Sequence, residues 1–225
     1  MQQFKELGEM VANAANWYGR RGEQYKGDQL TLYDKAARLL TDREDLGNHI
    51  AHNLIGQHGP VLEIAAGSGI ISRELAQVVP AEQLTVTDLS QDAMILLREA
   101  LPPETTVLRA DFLDLPFDDQ SFQTIVCVGG YRYVSPEQSP QFWAEVDRVL
   151  MPGGRIIIAE FHPLIRRMSG LAIDEADIPD NFSIREVETR MTHEQITGVI
   201  PSGRYILYSI EKAGGEGETH EDSST

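Results

Sequence analysis

Short strand-like runs alternate with helical patterns five times between residues 61 and 161. The runs are residues 61–65, 84–87, 106–108, 124–128 and 155–161. They are short and apolar, as strands covered on both faces of a sheet usually are. The segments between the first three runs carry apolar side chains at helical spacing, and so does the segment before the fifth run. Turn residues also occur in these segments. This order predicts a parallel sheet with right-handed crossovers and helices on both faces.

Beyond residue 161 the pattern changes to an alternation of apolar and polar positions. It occurs in residues 183–192 and 204–212, on either side of Pro201-Ser202-Gly203, and predicts an antiparallel strand pair. The expected fold is α/β: a doubly wound, Rossmann-like sheet of seven strands, mostly parallel, with the antiparallel pair at the C-terminal end.

The segments flanking the sheet divide the chain into three predicted parts. Residues 1–58 are mostly helical in pattern and rich in aromatic side chains, which either pack or form a lid over a ligand. Residues 59–212 form the sheet domain. Residues 213–225, AGGEGETHEDSST, are Gly-rich and acidic and predict a disordered tail.

Composition excludes several classes of protein. The 225 residues are 41% hydrophobic, enough for a core, and 19 basic against 35 acidic side chains give a formal charge of −16. So acidic a chain disfavours nucleic acid as a partner, because nucleic-acid binding draws most of its affinity from Lys and Arg. A single cysteine, Cys127, no leader-like N-terminus and no apolar run of about 20 residues predict a cytoplasmic protein without a membrane span.

The turn after the first strand predicts a nucleotide-like ligand. Gly67 and Gly69 let the backbone pass close beneath a ligand, and Asp88 ends the second strand 21 residues after Gly67, where an acid can accept from both hydroxyls of a ribose. A dinucleotide fingerprint requires a third glycine at position 72, which is Ser72 here. The NAD-dependent oxidoreductase hypothesis is therefore disfavoured.

Three stretches in fixed order resemble a known family. They are VLEIAAGSGIISREL, the run from Ala110 to Phe122, and EVDRVLMPGGRIIIAEF. Together they resemble the class I S-adenosylmethionine-dependent methyltransferases, above all the small-molecule branch that includes the ubiquinone and menaquinone methyltransferases. The resemblance covers roughly residues 17–161 and implies S-adenosylmethionine as the cofactor. One departure is Ala65, which stands where the family's E/D-x-G-x-G-x-G turn has its first glycine.

The resemblance also implies a set of cofactor-binding residues. Glu63 would orient the turn, Asp88 would hold the ribose, and Asp111 would accept from the adenine amino group. Tyr25, in WYGRRGEQY, would approach the methionine carboxylate, and Val128 would line the floor near the sulfonium. The implied set is Tyr25, Glu63, Gly67, Ser68, Gly69, Asp88, Leu89, Asp111, Phe112, Val128 and Gly129.

Two residues are candidates for catalysis. His162 follows the fifth strand. It acts as a base toward a phenol or enol substrate, or it caps the strand end or packs under the lid. Tyr131 follows the fourth strand and is the predicted pocket wall, whereas Arg132 meets either an anionic substrate group or a surface carboxylate. Neither the Asn/Asp-Pro-Pro-Tyr/Phe element of nucleic-acid amino-methyltransferases nor the aspartate of metal-dependent catechol enzymes follows the fourth strand. We therefore expect no metal site.

The leading hypothesis is methyl transfer from S-adenosylmethionine to a small apolar or aromatic metabolite. A second hypothesis is a regulatory or partner-binding module that binds the cofactor without transferring methyl, motivated by Ala65 and by the absence of an assured base. The sequence indicates neither the acceptor atom nor the oligomeric state.

Overall fold

The computed structural model describes residues 43–161, 173, 177–191 and 204–214. The strands are β1 (Val61–Ile64), β2 (Leu84–Asp88), β3 (Thr106–Arg109), β4 (Phe122–Val128), β5 (Leu150–Phe161), β6 (Phe182–Met191) and β7 (Arg204–Lys212). The α-helices are α1 (Arg43–His52), α2 (Ile70–Leu75), α3 (Gln91–Ala100) and α4 (Ser139–Val149). Short 3₁₀ turns at Ala81–Gln83, Tyr131–Tyr133 and Pro136–Gln138 connect some of these elements.

All seven strands form one sheet in the order β3-β2-β1-β4-β5-β7-β6. The first five strands along the chain are parallel, and β7 runs antiparallel to both β5 and β6. The predicted fold class is confirmed. The chain moves outward from β1 to β3 and then returns to β4 beside β1, so the strand order reverses between β1 and β4. In sheets of this kind ligands bind beyond the carboxyl ends of the strands at that reversal.

Helices cover the sheet on both faces, and each face has its own hydrophobic core. On one face α1, α2 and α3 bury apolar side chains against β1, β2 and β4, and Leu46, Leu75, Leu84 and Leu97 are at most 2% exposed. On the other face α4 buries Phe142, Trp143 and Val146 against β1, β4 and β5. The apolar spacing in α4, at positions 142, 146 and 149, is what directs one side of the helix toward the sheet.

Two local predictions differ from the structure. The third strand was expected to be covered on both faces, but β3 lies at the edge of the sheet and most of its residues are exposed. The helical spacing of apolar residues 71, 75, 78 and 79 predicts a helix that continues to Val79. The α-helix ends at Leu75 instead, because the N–H groups of Gln77 and Val78 bond at the shorter spacing, to the carbonyls of Glu74 and Leu75. Val79 is still buried, so the apolar spacing predicts its burial although the backbone leaves the α-helix.

The described part of the N-terminal segment packs into the core. Leu46, Ile50 and Leu54 are at most 3% exposed and belong to the core on the α2 face. Gly47 allows this approach, since a Cβ there would lie 2.8 Å from the Glu74 Cγ on α2. Residues 1–42 and 215–225 lie outside the described residues, so the lid and the tail stay predictions.

Candidate functional site

The loops that follow β1 and β2 meet at the carboxyl edge of the sheet, and Asp88 joins them. Its Oδ2 accepts the Gly67 N–H at 2.8 Å and its Oδ1 accepts the Ser90 N–H at 2.8 Å. The Asp88 carbonyl accepts the Ala110 N–H at 3.1 Å, which adds the loop after β3 to the same arrangement. The carboxylate therefore fixes two loops and still has lone pairs available for a ligand.

Gly67 and Gly69 are required for different reasons. Both have positive φ, 59° and 80°, which side chains rarely adopt. A Cβ on Gly67 would meet no atom within 4 Å in the described part of the chain, whereas a Cβ on Gly69 would lie 2.8 Å from the Leu97 Cδ2. The space over Gly67, beside the Asp88 carboxylate, is therefore open, and we call it the cradle. An adenosyl group whose ribose faces Asp88 would occupy it.

Glu63 is a buried acid beneath this turn. It is 1% exposed in β1, and its carbonyl accepts the Thr87 hydroxyl at 3.1 Å. Burial raises the pKa of its carboxyl from 4.5 to about 8; the Ser72 hydroxyl and Arg73 oppose the rise, and the charge of Asp88 adds to it. Position 72, where a dinucleotide site has glycine, thus holds a buried serine beside Glu63.

Replacing Glu63 with glutamine is expected to change how stability depends on pH. Because the folded pKa of about 8 lies above the ordinary 4.5, the folded state holds one more proton between these values. The contribution of this proton to the free energy of unfolding is complete below pH 4.5 and is lost as pH rises to about 8, by up to about 1.4 kcal/mol per pH unit. Glu63→Gln carries no such proton, so its free energy of unfolding rises relative to that of the parent as pH rises.

Urea unfolding at about pH 5.5 and about pH 8 measures this difference. The exposed Glu82→Gln on the 3₁₀ turn is the matched control, because it makes the same substitution at a site that is not buried. An equal difference between parent and Glu63→Gln at both pH values would contradict the burial of a neutral acid.

Burial also raises the pKa of Asp88, against the opposing effect of the N–H groups of Ser90, Gly67 and Leu89. The two acids of the site therefore lie in a region that disfavours negative charge. A ligand that brings hydroxyl donors to Asp88 stabilises its ionised form.

The residues implied to flank the adenine lie at the ends of β2 and β3. Leu89 is 39% exposed, and its carbonyl accepts the Arg109 Nε–H at 2.7 Å. The Asp111 Oδ1 accepts the Leu113 N–H at 3.0 Å, and the Phe112 ring packs edge-on against Phe142 with centroids 5.8 Å apart. These residues surround the same edge as Asp88, and their contacts with adenine stay predictions.

The residues after β4 form the other side of the crevice. Val128 is 7% exposed and ends the strand, and the Gly129 N–H donates to the Ala159 carbonyl of β5 at 2.8 Å. Tyr131 is 4% exposed; its hydroxyl lies 3.1 Å from the Ser139 Oγ, and its ring packs against Phe142. Burial raises the pKa of its phenol. A role of Tyr131 as a pocket wall stays a prediction, and in the structure its ring belongs to the aromatic core.

A buried ion pair at this edge was not predicted. Arg132 is 8% exposed and its Nη2 lies 3.2 Å from the Glu160 Oε2, while the Arg132 backbone N–H donates to the Glu160 Oε1 at 3.2 Å. The partner of Arg132 in the structure is a carboxylate of the protein, but the Glu160 side chain is only 15% exposed, so the expected surface carboxylate is a largely covered one. An acid near the end of the apolar run RIIIAEF was the signal in the sequence.

Two of the predicted site residues cannot be compared with the structure. Tyr25 and His162 lie outside the described residues, so their roles stay predictions. Among the described residues, no group of three or more His, Cys, Asp or Glu side chains is arranged to hold a metal ion. In the same part of the chain, no helix has the length and hydrophobicity to cross a bilayer.

A separate groove of about 410 Å³ lies along α4. It is lined on the helix by Pro140, Trp143 and Asp147 and on the opposite side by Pro179 and Asn181. None of its lining residues belongs to the loops after β1, β2 or β4. The chemistry-bearing residues are therefore at the sheet edge and not in this groove.

Comparison with known proteins shows a similarity to methyltransferases. Residues 61–154 match a family described as a methyltransferase domain. The demethylmenaquinone methyltransferase of Deinococcus radiodurans is 33% identical over 137 residues, which are 58% of this chain and 56% of that protein. The enzyme of the same description from Thermus thermophilus is 31% identical over 145 residues, 62% of this chain and 65% of that protein. The chain thus spans less than two thirds of the length of either relative.

A solved structure shares the fold. It is from Thermotoga maritima and is described as a methyltransferase dependent on S-adenosylmethionine and a possible histamine N-methyltransferase. The TM-score is 0.59 at 16% identity, and the match covers 83% of this chain and 96% of that one. At this identity the likeness shows the arrangement of the sheet and helices alone.

Proposed function

We propose that the chain is a class I S-adenosylmethionine-dependent methyltransferase, supported by the match of residues 61–154, and that it transfers the methyl group of this cofactor to a small aromatic acceptor of the quinol type. The observation that carries the proposal is the open cradle over Gly67, beside the Asp88 carboxylate that accepts hydrogen bonds from the N–H groups of Gly67 and Ser90. It lies where the strand order reverses, which is where this class of sheet binds its ligands.

The residues of the chain have three tasks in such a reaction. S-adenosylmethionine supplies a methyl group that is already activated on a sulfonium. The protein binds and orients the cofactor, for which Asp88, Gly67 and the loop after β3 are available, and holds the acceptor in line with the methyl group. It also excludes water, for which the apolar side chains at the end of β4 are suited.

The choice of a quinol-type acceptor rests on three arguments. Both relatives described above are named demethylmenaquinone methyltransferases, so their acceptor is an aromatic ring with oxygen substituents. The charge of −16 disfavours polyanionic acceptors such as nucleic acid. The acceptor would lie beside the loop after β4, which we call the acceptor side of the edge. The Arg132–Glu160 pair, from this loop and from β5, offers a polar group there among apolar side chains.

The single cysteine and acidic composition make the cytoplasm the proposed compartment.

A transfer assay tests this proposal. The full chain is incubated with methyl-labelled S-adenosylmethionine and a reduced, demethylated naphthoquinone with a short side chain; histamine serves as an acceptor of another class. We expect label in the naphthoquinol, and mass spectrometry then distinguishes a ring-carbon product from an ether. Label only in histamine would contradict the acceptor class.

The non-catalytic hypothesis is favoured by one observation, the left-handed backbone of Ala65 at φ 56° in a turn where the family has glycine. It predicts binding of S-adenosylhomocysteine without transfer to any small molecule of a cell extract. Transfer to any of them excludes a purely binding role.

A further inference from the structure

Ala65 has an unusual backbone conformation at the start of the cofactor turn. It is the first residue after β1, and its φ of 56° lies in the left-handed region. An alanine there is less favourable than a glycine, because its Cβ crowds the following carbonyl. Besides Ala65, the described residues include one other non-glycine residue with positive φ, Gln120 at 53°, in the exposed turn before β4. The chain thus carries a methyl group at position 65 in spite of the backbone strain there.

The Ala65 methyl group faces a glycine on the neighbouring loop. A Cβ placed on Gly130 would lie 2.7 Å from the Ala65 Cβ and 2.8 Å from the Cys127 Sγ. Distances this short require something to move, and the Ala65 Cβ is attached directly to the backbone of the turn. Gly130 itself has φ −93°, so its conformation does not require glycine. The lack of room beside Ala65 and Cys127 is what requires glycine at position 130.

This contact lies between the two sides of the cofactor crevice. β1 and β4 pair directly, with Ile64 opposite Cys127, and their order along the sheet reverses at this point. Ala65 leads into the turn whose Gly67 N–H binds Asp88, and Gly130 leads into the Tyr131–Tyr133 turn on the acceptor side. A change in the separation of Ala65 and Gly130 therefore moves the cofactor loop relative to the acceptor side.

We propose that Ala65 and Gly130 are a matched pair of positioning residues, in which the Ala65 methyl group sets the distance between the loop after β1 and the loop after β4. The inference rests on the proposed function for the identity of the cofactor. The Ala65 methyl holds the turn in one position at the cost of backbone strain, and Gly130 leaves the space that this methyl needs. Ala65→Gly is expected both to relax the backbone strain and to increase the conformational freedom of the turn.

The test compares Ala65→Gly with Gln120→Gly, which relaxes the same kind of strain far along the chain from the cofactor turn. Both variants are expected to raise Tm by about 2–4 °C. Only Ala65→Gly is expected to weaken binding of S-adenosylhomocysteine, by about threefold to tenfold, because the freed turn has to be ordered on binding. If Ala65→Gly leaves the affinity within twofold of the parent, as Gln120→Gly does, the positioning role is wrong.

A double-mutant cycle tests the pairing itself. Gly130→Ala is expected to lower Tm by about 5 °C or more in the parent and by less than half as much in the Ala65→Gly background, since one of its two close contacts is then absent. Should Gly130→Ala alone not fold, recovery of folded protein in the double variant is the expected result. Effects on Tm that simply add would overturn the pairing.

These outcomes are distinct from a failure of the proposed function. If the parent chain does not bind S-adenosylhomocysteine, the cofactor assignment and the positioning role fall together, while the coupling in Tm still reports the contact between positions 65 and 130. If the parent binds and the two variants neither weaken binding nor couple, the inference alone falls.

Discussion

Replacing Asp88 with alanine is expected to weaken binding of S-adenosylhomocysteine by about a hundredfold. A hydrogen bond to a charged group contributes about 1.5–3 kcal/mol, and a ribose offers two hydroxyl donors to one carboxylate. The same carboxylate accepts the N–H groups of Gly67 and Ser90 at 2.8 Å, so the variant also loses the link between the two loops that frame the cradle. Both losses act in the same direction on affinity.

Calorimetric titration measures the effect, with the exposed Asp118→Ala as the matched control that removes the same charge. A 2′-deoxy analogue of S-adenosylhomocysteine separates the two losses. On the parent it is expected to bind about tenfold more weakly than the natural ligand, and on Asp88→Ala the two ligands are expected to bind alike. Equal affinities of Asp88→Ala and Asp118→Ala for the natural ligand would contradict the assignment of the ribose site.

Replacing Arg148 with alanine is expected to lower the free energy of unfolding by about 2–3 kcal/mol. From α4, its Nη1 donates to the Phe117 carbonyl at 2.6 Å and its Nη2 donates to the Leu115 carbonyl at 2.8 Å. It also makes two hydrogen bonds, at 2.9 and 2.8 Å, to Glu145, which in turn accepts the Leu115 N–H at 2.8 Å. The pair therefore holds the loop before β4 onto the helix, and the expected loss is that of charged hydrogen bonds at a partly exposed site.

Urea unfolding compares this variant with Arg185→Ala. Arg185 pairs with Glu211 on the sheet surface and its side chain is 61% exposed, so its loss is expected to cost less than about 1 kcal/mol. Arg148→Lys keeps the charge without the planar fork and is expected to recover less than half of the stability. A loss for Arg148→Ala no larger than that for Arg185→Ala would show that the loop is held by its apolar contacts instead.

The sequence was sufficient for the parts of the fold that depend on repeated burial. Apolar runs flanked by turns indicated the strands, and the alternation of the last two segments indicated the antiparallel pair. Periodicity does not distinguish an α-helix from a looser turn that buries the same side chains, which is why the segment after Leu75 was predicted as helix. Nor does a short apolar strand indicate whether it lies inside a sheet or, like β3, at its edge.

For the site, motif order predicted which loops meet and missed the contacts between distant loops. The turn after β1 and the acid at the end of β2 do lie together, joined through Gly67 and Asp88. The Arg132–Glu160 pair joins residues 28 positions apart. An acid in the apolar run RIIIAEF indicates that Glu160 needs a partner, but only tertiary packing brings Arg132 to it, so neither spacing nor composition identifies the pair.

The central claim is that the edge between β1 and β4 binds S-adenosylmethionine. Its most direct test is a calorimetric titration of the full chain with S-adenosylmethionine, with NADH as the competing nucleotide. The account predicts saturable binding of S-adenosylmethionine at one site per chain. It also predicts that millimolar NADH does not displace S-adenosylmethionine, because Ser72 disfavours a dinucleotide at this site. No saturable heat with S-adenosylmethionine at millimolar concentration, or tighter binding of NADH, would contradict it.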